Sequence, residues 1–201
     1  NMDLLAEDLA EAETPRERRA LSKIDVVHTQ CTRLENLLND FLKFTRLQGL
    51  NLLAGNLNEV LGRVCDLFAV QAVDADVEIR RYLDPDLPSI LIDAETLEAA
   101  IVNLVKNAME SMPDGGTLTV TTRLTKNAVA LDLIDTGCGM GERTALNMFD
   151  AFYTTKNGGS GLGLPTARKV VEAHGGRISV QSVEGRGTKF TLEFPAPARI
   201  S

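Results

Sequence analysis

In the stretch NLVKNA, residues 103–108, two asparagines stand four residues apart. On a helix that spacing puts both amides on one face. An amide oxygen is a neutral, hard donor suited to Mg²⁺, which keeps waters and phosphate oxygens in the rest of its shell. Asn103 and Asn107 are therefore candidate metal ligands, although two solvated asparagines would look the same. Further on, DTGCGM at 135–140 sets Asp135 at the end of an alternating run, followed by Gly137 and Gly139. A carboxylate there can accept from an amine, and the glycines let backbone approach a flat ring. A tight turn with a polar cap is the plainer alternative. MFDAFYTTK at 148–156 then brings three aromatics, two threonines and Lys156, and GGSGLGL at 158–164 runs straight into a helix start. Backbone N–H groups at such a start can cradle phosphates. The loop is not G-x-x-x-x-G-K-[ST] and follows no strand, so it is neither a P-loop nor a dinucleotide-binding turn.

These pieces need elements to hold them. The pattern predicts a helix over 93–112 with Asp93 as its cap, Leu97, Ile101, Leu104, Val105 and Ala108 as its packing face, and PDGG as its stop. TLTVTTRL and AVALDLID read as one hairpin around TKN, and GRISVQSV and TKFTLEFP as a second around EGRG. DVEIRRYL alternates like a strand, DPDLPS reads as a turn, and residues 57–72 read as a helix. The fold class is α+β, with a mixed, hairpin-rich sheet. On the N-terminal side, NMDLLAEDLAEA reads as a short helix, with Thr14 and Pro15 opening a long one to residue 48. Along it Ile24, Val27, Cys31, Leu34, Leu38, Phe41 and Thr45 alternate steps of three and four, a coiled-coil seam. The seam needs a partner, either the rest of the chain or a second copy. Gly49 and Gly55 mark the break, giving domains 1–50 and 51–201.

Bulk properties narrow the classes. Of 201 residues, 44% are hydrophobic and 24% charged, enough for a packed core. A net charge of -7 argues against nucleic acid as a partner but not against a nucleotide in a locally positive pocket. Three scattered cysteines make no disulfide framework or zinc spacing and fit a reducing, cytoplasmic setting. No apolar run approaches the ~18 residues of a membrane span. The opening, without an initiator Met, reads as part of something longer.

The order of the pieces resembles one family. Asn-x₃-Asn, D-x-G-x-G, F-x-x-F-x-T-T-K, G-x-G-L-G-L and GRGTKFTLEFP fall in sequence within residues 56–196. Together they resemble the ATP-binding catalytic domain of bacterial sensor histidine kinases, in the GHKL superfamily, and GLGLPTARKVVEAHGG is most similar to the nitrogen-regulation branch. The resemblance implies a Bergerat ATP-binding fold, a two-layer α/β sandwich, with ATP and Mg²⁺ as cofactors. It implies Asn107 as main metal ligand with Asn103 assisting, Asp135 on the adenine amine, and Lys156 with the backbone around Gly159, Gly161 and Gly163 on the β- and γ-phosphates. Gly137, Gly139, Phe152, Thr154, Thr155, Ser160 and Leu162 would line the site, and Lys106 and Thr188 would make outer contacts. Residues 149–160 would form a lid, in which Ala151 stands where the family usually has proline. Asn103, Asn107 and Lys156 carry the implied catalytic roles.

Related ATPases place a water-activating Glu where this chain has Asn103, which cannot take a proton. The site should bind ATP and hydrolyse it slowly, passing the γ-phosphoryl group to a histidine for relay to a response regulator aspartate. Neither histidine fits that role: His28 is followed by no acid, and His174 sits at a helix C-terminus, where a cation is favourable. The acceptor is expected outside this sequence, with residues 1–50 a partial dimerisation hairpin of four-helix-bundle type. A GHKL-type ATPase without histidine kinase activity, an anti-sigma type serine kinase, or a nucleotide-sensing interaction module are the alternatives.

Overall fold

The computed structural model describes residues 15–45, 49–156 and 159–196. The short helix expected at 1–12, the Thr14 cap, residues 46–48, and Gly158 of the glycine loop lie outside the described residues. The chain divides into two compact units between Lys43 and Phe44. The first is carried by helix α1, Pro15–Thr45. Its seam is largely exposed: Val27, Leu34, Leu38 and Phe41 all face solvent.

The second unit is a two-layer α+β structure. Its elements run β1 (Leu53–Gly55), α2 (Leu57–Leu67), α3 (Ala69–Asp74), β2 (Val77–Tyr82), β3 (Ile90–Ile92), α4 (Ala94–Glu110), β4 (Gly116–Leu124), β5 (Ala128–Asp135), α5 (Glu142–Asn147), α6 (Gly163–Ala173), β6 (Arg177–Val183) and β7 (Gly187–Pro195). Five strands form one sheet in the order β2-β4-β5-β7-β6. β2 pairs parallel with β4 and the other pairs are antiparallel, so the sheet is mixed, with both expected hairpins present.

Strand alternation decides the layering. Leu118 and Val120 on β4, Val129, Leu131 and Leu133 on β5, and Phe190, Leu192 and Phe194 on β7 all enter the core. α4 meets them there, flanked by α2 and α6. Asp132, on the opposite face of β5, is held by Thr191 at 2.6 Å, Lys189 at 3.0 Å and Arg123 at 3.3 Å. Burial alone would raise this carboxyl. The hydrogen bonds from Thr191, Lys189 and Arg123 outweigh it and hold the group below the usual carboxylate range.

Three features differ from the expectation. The helix over 57–72 is two helices, interrupted at Phe68, and one buried stripe that includes Val64, Phe68 and Ala72 runs through both while Val70 and Val73 face out. β1 and β3 form a separate antiparallel pair of three residues each, too short to show a period. His174 is not a cation at a helix end. Its Nδ1 lies 2.7 Å from the Val170 carbonyl, to which it must donate, and its Nε2 accepts the Asp93 backbone N–H at 3.0 Å. The ring is thereby the neutral Nδ1–H tautomer, and it packs edge-on against Phe194. It ties the end of α6 to the cap of α4.

That tie generates a test. His174→Phe keeps a ring beside Phe194 but leaves the Asp93 N–H without its acceptor. The substitution should cost about 1–3 kcal/mol of stability, read as a lowered midpoint in urea unfolding at unchanged slope.

Candidate nucleotide-binding site

α4 begins where the Asp93 side chain accepts the Thr96 N–H at 3.0 Å. Leu97, Ile101, Leu104, Val105 and Ala108 are buried, as their spacing predicts. The opposite stripe carries Asn103 and Asn107, both half-buried, and Glu110. Asn103 faces the start of α6: a Cβ built on Gly163 would meet its amide at 3.7 Å. Lys106 is outside this stripe, 65% exposed, with its ammonium 3.9 Å from Glu110.

Asp135 ends β5 and is only 5% exposed. One carboxylate oxygen, Oδ1, accepts the Gly137 N–H at 2.9 Å and the Thr188 N–H at 3.2 Å. Ser111 Oγ lies 3.2 Å from the same oxygen and 2.8 Å from the Ala108 carbonyl, with one proton for the two. Burial nevertheless pushes the Asp135 carboxyl above its usual range, against the pull of those donors. Gly139 has φ +63, and a side chain there would strike the Val183 carbonyl at 2.1 Å. The glycine is what lets the turn after Asp135 lie against the β6–β7 hairpin.

The stretch after α5 returns to α4. Lys156 Nζ donates to Asn107 Oδ1 at 2.8 Å and pairs with Glu110. Thr154 Oγ1 accepts the Lys156 N–H, and Thr154 and Thr155 are both exposed. Phe152 is exposed at φ +69, and its N–H donates to the Gly161 carbonyl at 3.0 Å. Gly161 has φ +66, and a Cβ there would lie 2.5 Å from the Phe152 backbone, so the glycine loop is clasped directly to this stretch. Gly159 and Ser160 follow it, and Ser160 Oγ accepts the Leu162 N–H. The Leu162 side chain is fully buried, which makes it an anchor and leaves only its backbone for a ligand. No side chain caps α6 at Leu162, and the first N–H groups of a helix have no intrahelical acceptor.

The structure thus gathers Asn103, Asn107, Lys156 and Gly163 at α4 and the start of α6. It gathers Asp135, Gly137 and Thr188 around one carboxylate, with Gly139 in the turn that follows. Lys106 stays peripheral. Ser111 and Glu110 belong to these clusters and carry no motif of their own. Ser111 could be found only from the closure of α4 onto β5, and Glu110 only from its place three residues after Asn107. The donor set fits a magnesium nucleotide. Among the described residues no three His, Cys, Asp or Glu side chains converge as a metal cluster, so the hard donors on offer to a metal are the asparagine amide oxygens, the single Glu110 carboxylate beside them and the phosphate oxygens of a nucleotide.

A family model described as histidine kinase-, DNA gyrase B-, and HSP90-like ATPase matches residues 92–198. Sporulation kinase E of Bacillus subtilis (strain 168) is 34% identical over 172 residues, covering 85% of this chain and 23% of that protein. The chain spans less than half the length of the curated relatives it matches. The crystal structure of full-length ShkA in complex with AMPPNP is similar at TM-score 0.76 and 28% identity, covering 96% of this chain and 42% of that one. The nucleotide-free catalytic domain of the histidine kinase ThkA is similar at TM-score 0.66 and 29% identity, covering 73% of this chain and 96% of that one. With the family model lying over more than half its length and its site motifs in order, the chain belongs to the histidine kinase-, DNA gyrase B- and HSP90-like ATPases.

Proposed function

We propose that this chain is the nucleotide-binding core of a sensor histidine kinase. It binds Mg-ATP and, in the intact protein, transfers the γ-phosphoryl group to a histidine for relay to a response regulator aspartate. The observation that carries this reading is the meeting of Lys156 with Asn107, which brings a phosphate-binding cation to the amide oxygen best placed for the metal. Asn107, with Asn103 beside it, holds the metal, whose chemistry is to neutralise charge on the phosphates. Asp135 accepts from the adenine amine, with Thr188 fixing the carboxylate. Lys156 and the backbone of Gly159, Gly161 and Gly163 hold the terminal phosphates. The work of the site is positioning and electrostatics.

Asn103 supports transfer to histidine over hydrolysis, since an amide gives water no base. His174 has both ring nitrogens engaged inside the core, which argues against it as the acceptor. The exposed seam of α1 supports pairing with a second copy in a helical bundle. Free Cys31, Cys65 and Cys138 support a reducing, cytoplasmic setting, and among the described residues no helix is long and apolar enough to cross a membrane. The motif GLGLPTARKVVEAHGG supports the nitrogen-regulation branch, a finer assignment that rests on that motif alone.

Asp135→Asn tests the adenine contact. ATP carries an amine at the position where GTP carries a carbonyl, so the unmodified chain should prefer ATP, and the variant should lose about tenfold or more in ATP affinity by calorimetry. Equal affinity for ATP and GTP would contradict the assignment. The same variant should be more stable than the parent at pH 7, by about 0.5–2 kcal/mol, because it removes a buried charge. The sign follows from the raised carboxyl. The folded parent takes up its proton at a higher pH than the unfolded chain, so it recovers stability as pH falls through the raised value. The advantage of the variant should therefore shrink on acidification, read from unfolding midpoints at pH 7 and pH 4.

A further inference from the structure

Glu110 has no role in the reading above, yet it sits inside the site. Asn103, Asn107 and Glu110 follow one another at four and three residues along α4, so they form one stripe. The Glu110 carboxylate pairs with Lys156 Nζ, and the same Nζ donates to Asn107 Oδ1 at 2.8 Å. An ammonium thus rests between an amide oxygen and a carboxylate oxygen, hard donors of the kind that hold Mg²⁺. Lys106 reaches the other carboxylate oxygen only at 3.9 Å and from solvent.

We propose that Glu110 is a positioning residue for Lys156: it keeps the ammonium on Asn107 until metal-bound ATP enters, when Lys156 leaves for the phosphates. The proposal rests on the roles given above to Asn107 and Lys156. Two cations on one amide oxygen repel each other, so Lys156 and a metal ion exclude one another at Asn107. A triphosphate offers the departing ammonium several charged acceptors in place of one carboxylate. With metal at Asn107, the Glu110 carboxylate still has a cation beside it, and one cation has been exchanged for another. Without metal, ATP must draw Lys156 away and leave that carboxylate facing the phosphates. Glu110 therefore makes ATP binding more dependent on Mg²⁺. The pair is partly exposed, 42% at Lys156 and 39% at Glu110, so the effect is a few-fold.

The test measures Kd for ATP in excess EDTA and in excess Mg²⁺, on the unmodified chain, E110Q, K156M and the double variant. E110Q should lower the metal-free Kd by about two- to fivefold and leave the Kd in Mg²⁺ within about twofold. The metal-free gain should shrink when Lys156 is already absent. Equal shifts in both Kd values overturn the proposal. So does an undiminished gain in the K156M background, which would mark plain repulsion between the carboxylate and ATP. K156M that binds ATP as tightly as the parent overturns the phosphate role of Lys156, and an unmodified chain that binds no ATP overturns the functional reading, the exchange falling with it in either case.

Discussion

One helix has to satisfy two demands, and the rest of the nucleotide-binding unit follows from that. α4 buries Leu97, Ile101, Leu104, Val105 and Ala108 against the sheet and its neighbouring helices. Each large aliphatic among them contributes about 1.5–3 kcal/mol when fully buried. The same helix presents Asn103, Asn107 and Glu110 on its other side. Its rotation is therefore fixed by the core, and the polar stripe inherits that rigidity. The His174 ring bonds the cap of α4 to the end of α6, so the asparagine stripe and the helix that begins at the glycine loop are held in one frame.

Asp135 shows the opposite economy. A carboxylate at 5% exposure costs stability, and three donors only partly offset the loss of water. In the proposed adenine contact such a carboxylate is selective, because its desolvation is already complete before the ligand arrives. Ser111, at the end of α4, joins this cluster, so the two halves of the site meet at one helix terminus.

Much of this was legible in the residues. The α4 face, both hairpins and the ends of α6 follow from period and turn chemistry, and Asn103 and Asn107 share a face by arithmetic alone. What escaped was set by tertiary contact. The interruption at Phe68 leaves the helical spacing of Val64, Phe68 and Ala72 unchanged, so nothing in the hydrophobic period marks it. β1 and β3 are too short to carry a period, and Gly55 reads as a break although it accommodates Ile92, which a Cβ would meet at 2.8 Å. The neutral state of His174 depends on the Asp93 N–H, 81 positions away in the chain. Leu162 sits in a ligand-binding motif yet points into the core. Glu110 and Ser111 have ordinary sequence surroundings, and only the return of the Lys156 stretch and the closure of β5 onto α4 give them meaning.

In the proposed reaction the site holds a triphosphate for a nitrogen nucleophile and not for water. The most direct measurement follows the γ-phosphate of labelled Mg-ATP on this chain and on the intact protein. Label should appear on the intact protein, lost in acid and kept in base, with no such label on this chain alone and little steady release of phosphate from either. Steady phosphate release without an acid-labile protein adduct would contradict it.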